Sequence, residues 1–106
     1  MDYSNLDDMF KGWFVGNFSP TALSTPACEV GVKKYKAGDK EESHFHKIGT
    51  EVTLILSGSV SMNGMTLHEG QIVKINPGEA TDFKAITDVI TVVVKTPSAV
   101  DDKYIS

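Results

Sequence analysis

Two histidines one residue apart, His44 and His46, are followed five residues later by Glu51 in the stretch GDKEESHFHKIGTEVTLILSG, residues 38–58. Side chains on a strand alternate faces with a period of two, so His44 and His46 share a face and Phe45 takes the other. The segment KIGT, 47–50, reads as a turn in which Gly49 supplies backbone freedom. Glu51 then opens a second strand on which Glu51, Thr53 and Ile55 share one face and Val52, Leu54 and Leu56 the other. The return of the chain can bring the carboxylate beside the two imidazoles. Two neutral imidazoles and one carboxylate form a facial N, N, O donor set, which suits a divalent transition metal such as Fe, Mn, Zn, Ni or Cu. The bland alternative is that an H-x-H pair is plain polarity on an exposed strand.

The elements that must position these residues are strands. EVGVKKYK (29–36) and QIVKI (71–75) alternate apolar and polar residues, and VITVVVK (89–95) is a β-branched run of the kind buried in a sheet. Turn signals separate them at short intervals: AGDKE (37–41), Asn63-Gly64, HEG (68–70), NPGE (76–79) and Thr87-Asp88. Asn63-Gly64, set between SVSM and MTLH, predicts a type I′ hairpin, since both central residues need positive φ. Many short strands with little helical periodicity imply an antiparallel all-β sandwich or barrel. Only SNLDDMFKG (4–12) offers a helical turn or two, with Ser4 as its cap. The three rings of GWFVGNF (12–18) need cover. Either this segment lids one end of the barrel as a strand, or it is an arm that packs on a second copy.

The run Gly38, His44, His46, Glu51, Gly58 matches the first sequence motif of the cupin family in identity and interval. GQIVKINPGEATDF (70–83) resembles the second, with Gly70 and Gly78 at the family's glycines and Pro77 in the turn. The resemblance implies an all-β double-stranded β-helix, the cupin or jelly-roll barrel, with an N-terminal arm. It divides one domain into an arm and first strands (1–29), a barrel (30–98) and a C-terminal tail (99–106). It also implies that the metal ligands of the first motif are His44, His46 and Glu51. The second motif departs from the pattern, because Thr81 stands where the family has a third histidine, Ala85 where it often has asparagine, and Asn76 at a proline position. A threonine hydroxyl is a poor ligand at neutral pH. Asp82 is the next candidate for the fourth position, yet on a regular strand it faces away if Thr81 faces in, unless a bulge shifts the register.

Composition narrows the function classes. The 106 residues are 41% hydrophobic and 23% charged, with a net charge of −4 and all basic residues lysine. Thinly spread lysines disfavour nucleic acid as a partner. The single cysteine, Cys28, excludes an intrachain disulfide and fits a reducing compartment. No apolar stretch is long enough for a membrane span and the first residues are acidic, so the expectation is a soluble cytoplasmic protein with no membrane partner. Glu41, Glu42 and His68 read as solvated, Glu79 as exposed in its turn or else touching ligand at the barrel mouth, Asp88 as a turn residue, Cys28 as a small buried group, and Trp13, Tyr35 and Phe83 as core by default, with lining of the cavity as the alternative.

What remains is a protein for a small-molecule ligand or substrate. The first reading is a metal-dependent enzyme on a small polar metabolite; small cupins similar to this one include dioxygenases, isomerases and lyases. The second needs no metal: His44 or His46, tuned by Glu51, acts as acid or base on a sugar or sugar nucleotide. The third is a binding module without turnover. A homodimer is expected from the aromatic arm and from the resemblance.

Overall fold

A computed structural model describes all 106 residues. The strands are β1 (Trp13–Gly16), β2 (Leu23–Ser24), β3 (Glu29–Tyr35), β4 (Lys40–Phe45), β5 (Thr50–Ser57), β6 (Ser59–Met62), β7 (Met65–His68), β8 (Ile72–Ile75), β9 (Thr81–Ala85), β10 (Val89–Thr96) and β11 (Tyr104–Ile105). They form a six-stranded sheet, β2-β1-β3-β10-β5-β8, and a five-stranded sheet, β11-β4-β9-β6-β7. This is the all-β, two-sheet barrel that the alternation and the turn spacing imply.

The β-branched run of β10 lies between β3 and β5, antiparallel to both. Cross-strand partners share a face, so the register fixes what looks inward. Val93 pairs with Gly31 and Thr53, Thr91 with Lys33 and Ile55, and Lys95 with Glu29 and Glu51. These residues share one face, while Val92 with Val32 and Leu54, and Val94 with Val30 and Val52, share the other. The inner face changes character along each strand. On β5 it runs from buried Ile55 through Thr53 to Glu51, on β10 from Val89 through Thr91 and Val93 to Lys95, and on β9 from Ala85 and Phe83 to Thr81. Ile55, Val60, Met62, Ile75, Phe83, Ala85 and Val89 form one hydrophobic cluster at the apolar part of this gradient. The polar part is left to line a cavity.

Several local expectations are met and others corrected. Asn63 and Gly64 have φ of 50° and 77° between paired Met62 and Met65, as a type I′ hairpin requires. The segment 4–12 forms two 310 turns, Leu6–Asp8 and Phe10–Gly12, and Ser4 caps neither. Gly49 does not adopt a positive φ. Its role is proximity instead: it is buried, and a Cβ there would sit 3.4 Å from the Asp102 carboxylate. Cys28 is half-buried rather than enclosed. The aromatic segment forms β1, which pairs with β3 and sets Trp13 opposite Gly31. The C-terminal residues set apart as a tail belong to the sheet, with Tyr104 paired to Phe45 and Ile105 to His44.

Candidate functional site

His44, His46, Glu51 and Thr81 all line one cavity of about 280 Å3, so the sequence-predicted set converges on a single space inside the barrel. His44 sits opposite Thr81 across the β4–β9 pair. His46 follows β4, and its carbonyl accepts from the Gly78 N–H at 2.7 Å, so a glycine of the second motif holds the chain at the first. The two imidazoles stand edge to face, ring centroids 5.5 Å apart. The turn after His46 closes on Asp102, whose buried carboxylate accepts from the N–H groups of Lys47 (2.9 Å), Ile48 (3.0 Å) and Gly49 (2.8 Å). The tail thereby fixes how the chain passes from His46 to Glu51.

Between Glu41 and His44 the β4–β9 register slips. Glu41 pairs with Phe83 and His44 with Thr81, three residues on β4 against two on β9. A bulge of one residue reverses the alternation before it. Without the bulge Glu42 would face inward with His44; with it Glu41 does, and Glu42 is exposed. The reading of Glu41 as solvated is therefore corrected: it lines the cavity and accepts a long 3.4 Å hydrogen bond from the Tyr35 hydroxyl. Tyr35 packs on Phe83 with ring centroids 4.5 Å apart and planes tilted by 38°, and both rings, with Trp13, form cavity wall as well as packing. Burial and the Glu41 charge push the Tyr35 hydroxyl well above its usual range, so it stays protonated. His68 is exposed at the end of β7 and bonds Ser59 at 3.0 Å.

Thr81 is buried and faces the cavity, but its hydroxyl donates to the Asp82 carbonyl at 2.8 Å. Asp82 borders the cavity with its carboxylate turned away, accepting from the Asn63 N–H at 2.8 Å. The alternation of β9 is regular here, and the Asp82 carboxylate is engaged by the Asn63 N–H.

The inner polar groups are poised unevenly. His44 Nδ1 lies 2.9 Å from the Glu42 carbonyl, a contact that makes it the donor and leaves Nε2 with a free lone pair. Glu51 accepts from Thr53 Oγ1 at 3.0 Å through one carboxylate oxygen. His46 Nε2 and Thr91 Oγ1 are buried with no hydrogen-bond partner. Burial, reinforced by Lys95, holds His46 below the ordinary imidazole value against the pull of Glu51. At pH 7 it is neutral, with a nitrogen unpaired. Thr91 lay hidden in the sequence within a run that reads as buried strand; its unpaired hydroxyl is the signal only coordinates give.

The donor chemistry thus suits a divalent ion: two imidazoles, each with a nitrogen available, and one carboxylate. The side chains do not stand gathered, however, for no three His, Cys, Asp or Glu residues lie close enough together to hold one ion.

No family model matches the sequence, and no curated protein does. Solved structures do match in fold. An uncharacterized conserved protein with a double-stranded β-helix domain from Klebsiella pneumoniae is 26% identical at a TM-score of 0.66, over 73% of this chain and 69% of that one. KdgF from Halomonas sp. is 18% identical with a TM-score of 0.66, over 73% of this chain and 74% of its own. A sugar phosphate isomerase from a cupin superfamily, from Silicibacter pomeroyi, is 19% identical with a TM-score of 0.63, over 71% of this chain and 52% of its own.

Proposed function

We propose that this chain, which has the cupin double-stranded β-helix fold, binds a small polar metabolite inside its barrel and acts on it with a divalent metal that would draw His44, His46 and Glu51 together from the separate positions they hold around one cavity. The observation that carries the reading is the His46 Nε2 atom, buried without a partner beside the same cavity as His44 and Glu51. A buried polar atom left unpaired costs about 1–3 kcal/mol, so an interior site of this kind is completed by something it binds. An ion there would act as a Lewis acid on a substrate oxygen. Glu51 would keep one oxygen for such an ion while Thr53 orients the other, and the Glu42 carbonyl fixes the His44 tautomer. Thr91 offers its unpaired hydroxyl to a substrate oxygen.

The test is the metal content of purified protein loaded in turn with Fe, Mn, Zn, Ni or Cu, beside His46→Ala and Glu51→Gln. About one equivalent in the native chain, lost in both variants, is the result expected for a single site. Protein that takes up none of these ions, or variants that keep the ion, overturn the metal. The spacing of the three side chains favours a second reading in that event, in which neutral His46 is itself the general base beside Glu51.

We further propose that the protein pairs with a second copy through the outer face of its six-stranded sheet. That face carries Val30, Val32, Val52, Leu54, Val92 and Val94, joined by Ile72, which is 65% exposed opposite Leu54. A contiguous apolar face without cover is the mark of an interface. Sedimentation at micromolar concentration should give a dimer, and Leu54→Glu a folded monomer. A native monomer would remove the proposal.

A further inference from the structure

The cavity gathers four of the chain's ten lysines, Lys11, Lys33, Lys95 and Lys103, in a protein whose net charge is −4. They come from four places in the sequence: the kink before β1, β3, β10 and the C-terminal segment. Their gathering is not a by-product of one charged run. Lys11 is brought there by a strained approach. Its own φ is 51°, outside the usual range for a side-chain-bearing residue, and Gly12 follows at 84° so close to β3 that a Cβ would overlap the Val32 carbonyl oxygen. The Lys11 carbonyl then accepts from Lys33 Nζ at 2.7 Å.

Trp13 aligns two of the others. Its indole packs so tightly on Gly31 that a Cβ there would lie 2.6 Å from Cε3. Lys33 Nζ lies 5.4 Å and Lys95 Nζ 5.0 Å from the ring centroid. Cation–π contact of this kind holds ammonium groups without cancelling their charge. Burial pushes Lys33 below the usual lysine value, and Lys11, Lys95 and Lys103 press the same way against Glu41. Ammonium groups that repel one another at the mouth of a low-dielectric cavity are stabilised by an anion placed among them.

We propose that Lys11, Lys33, Lys95 and Lys103 form an anion subsite, so that the metabolite held in this barrel carries a phosphate or carboxylate group read by these lysines. The proposal rests on the functional reading only for the use of one cavity; it requires no metal. The reacting part of the ligand would reach His46 and Glu51, and the anionic part would stay at the lysines. Lys95 is the hinge between the two, since it pairs with Glu51 in the sheet and bears on the His46 charge.

The experiment is calorimetric titration of the whole protein with inorganic phosphate, glucuronate and glucose at pH 7 and low salt, using native chain, Lys33→Met/Lys95→Met and Lys84→Met. Lys84 is exposed and lies outside the cavity. Saturable binding of phosphate or glucuronate, not of glucose, is expected, weakened at least about tenfold in the double variant and unchanged in Lys84→Met, because each ammonium makes a charge-assisted bond. Which anion binds more tightly identifies the group. Binding of neither anion overturns the subsite, as does equal binding by the double variant when circular dichroism shows it folded. Metal content is read separately in the same samples. Anion binding that survives without metal leaves the subsite standing while the metal falls, and a loaded metal with no lysine dependence does the reverse.

Discussion

Replacing Asp102 by alanine is expected to lower stability by about 4 kcal/mol, because a buried charged acceptor of several hydrogen bonds is lost and its donors are left behind. Asp102 is 7% exposed and satisfies the N–H groups of Lys47, Ile48 and Gly49, the last of them buried. No other acceptor on the turn takes their place. For a domain of this size the change corresponds to a fall in Tm of roughly 15–30 °C. Burial raises the Asp102 carboxyl, but the Gly49, Lys47 and Ile48 N–H groups together outweigh it and hold the value below the ordinary 3.8. A depressed carboxylate contributes stability that is present above its unfolded value and lost as pH falls through its folded one. The acid limb below about pH 4 should therefore be shallower in Asp102→Asn, which keeps one acceptor oxygen and no charge. Thermal melts across pH 2–8 measure both effects. An alanine variant within about 1 kcal/mol of native would show that the tail does not hold the turn. Because that turn joins His46 to Glu51, the variant should also lose metal or ligand affinity at temperatures where it is still folded.

The reach of the sequence is clearest on β5. There the period of two separates Glu51, Thr53 and Ile55 from Val52, Leu54 and Leu56, and the register with β10 keeps the first set together and Val52 with Leu54, slipping only at Leu56. The hairpin at Asn63-Gly64 and the buried run of β10 were equally legible, because local sterics and side-chain branching fix them. What stayed hidden has no local signature. The extra residue in β4 that turns Glu41 inward leaves no mark in KEESHF, where alternation points to Glu42. Four lysines from distant elements look like ordinary solvated charge until the sheets bring them to one mouth. Asp102 resembles any aspartate of a polar terminus, and only the fold places it under the turn. That the histidines and Glu51 line one cavity was thus readable; their separation within it and the electrostatic setting around them were not.

Gly58→Ala is expected to cost about 4 kcal/mol, the sum of two separable penalties. This glycine closes the first motif between β5 and β6 and has φ of 86°, where any side chain adds about 1–2 kcal/mol. It also has neighbours on the side where a Cβ would project. The new atom would overlap the Asp88 carbonyl oxygen and sit 2.8 Å from Thr87 Oγ1 and 3.0 Å from Val89 Cγ2. Those atoms cannot yield cheaply. Thr87 Oγ1 accepts from the Ser59 N–H at 3.0 Å, and Val89 is a fully packed core residue at the start of β10. Gly70 isolates the conformational part, since its φ is 87° and nothing lies within 4 Å of its missing Cβ. Gly70→Ala should therefore lose only about 1–2 kcal/mol. Urea denaturation of the two variants measures the difference, which should be about 2 kcal/mol against Gly58→Ala. Equal losses would mean that the approach of the β5–β6 corner to Asp88 carries no energy, and that the motif's last glycine is required for its dihedral alone.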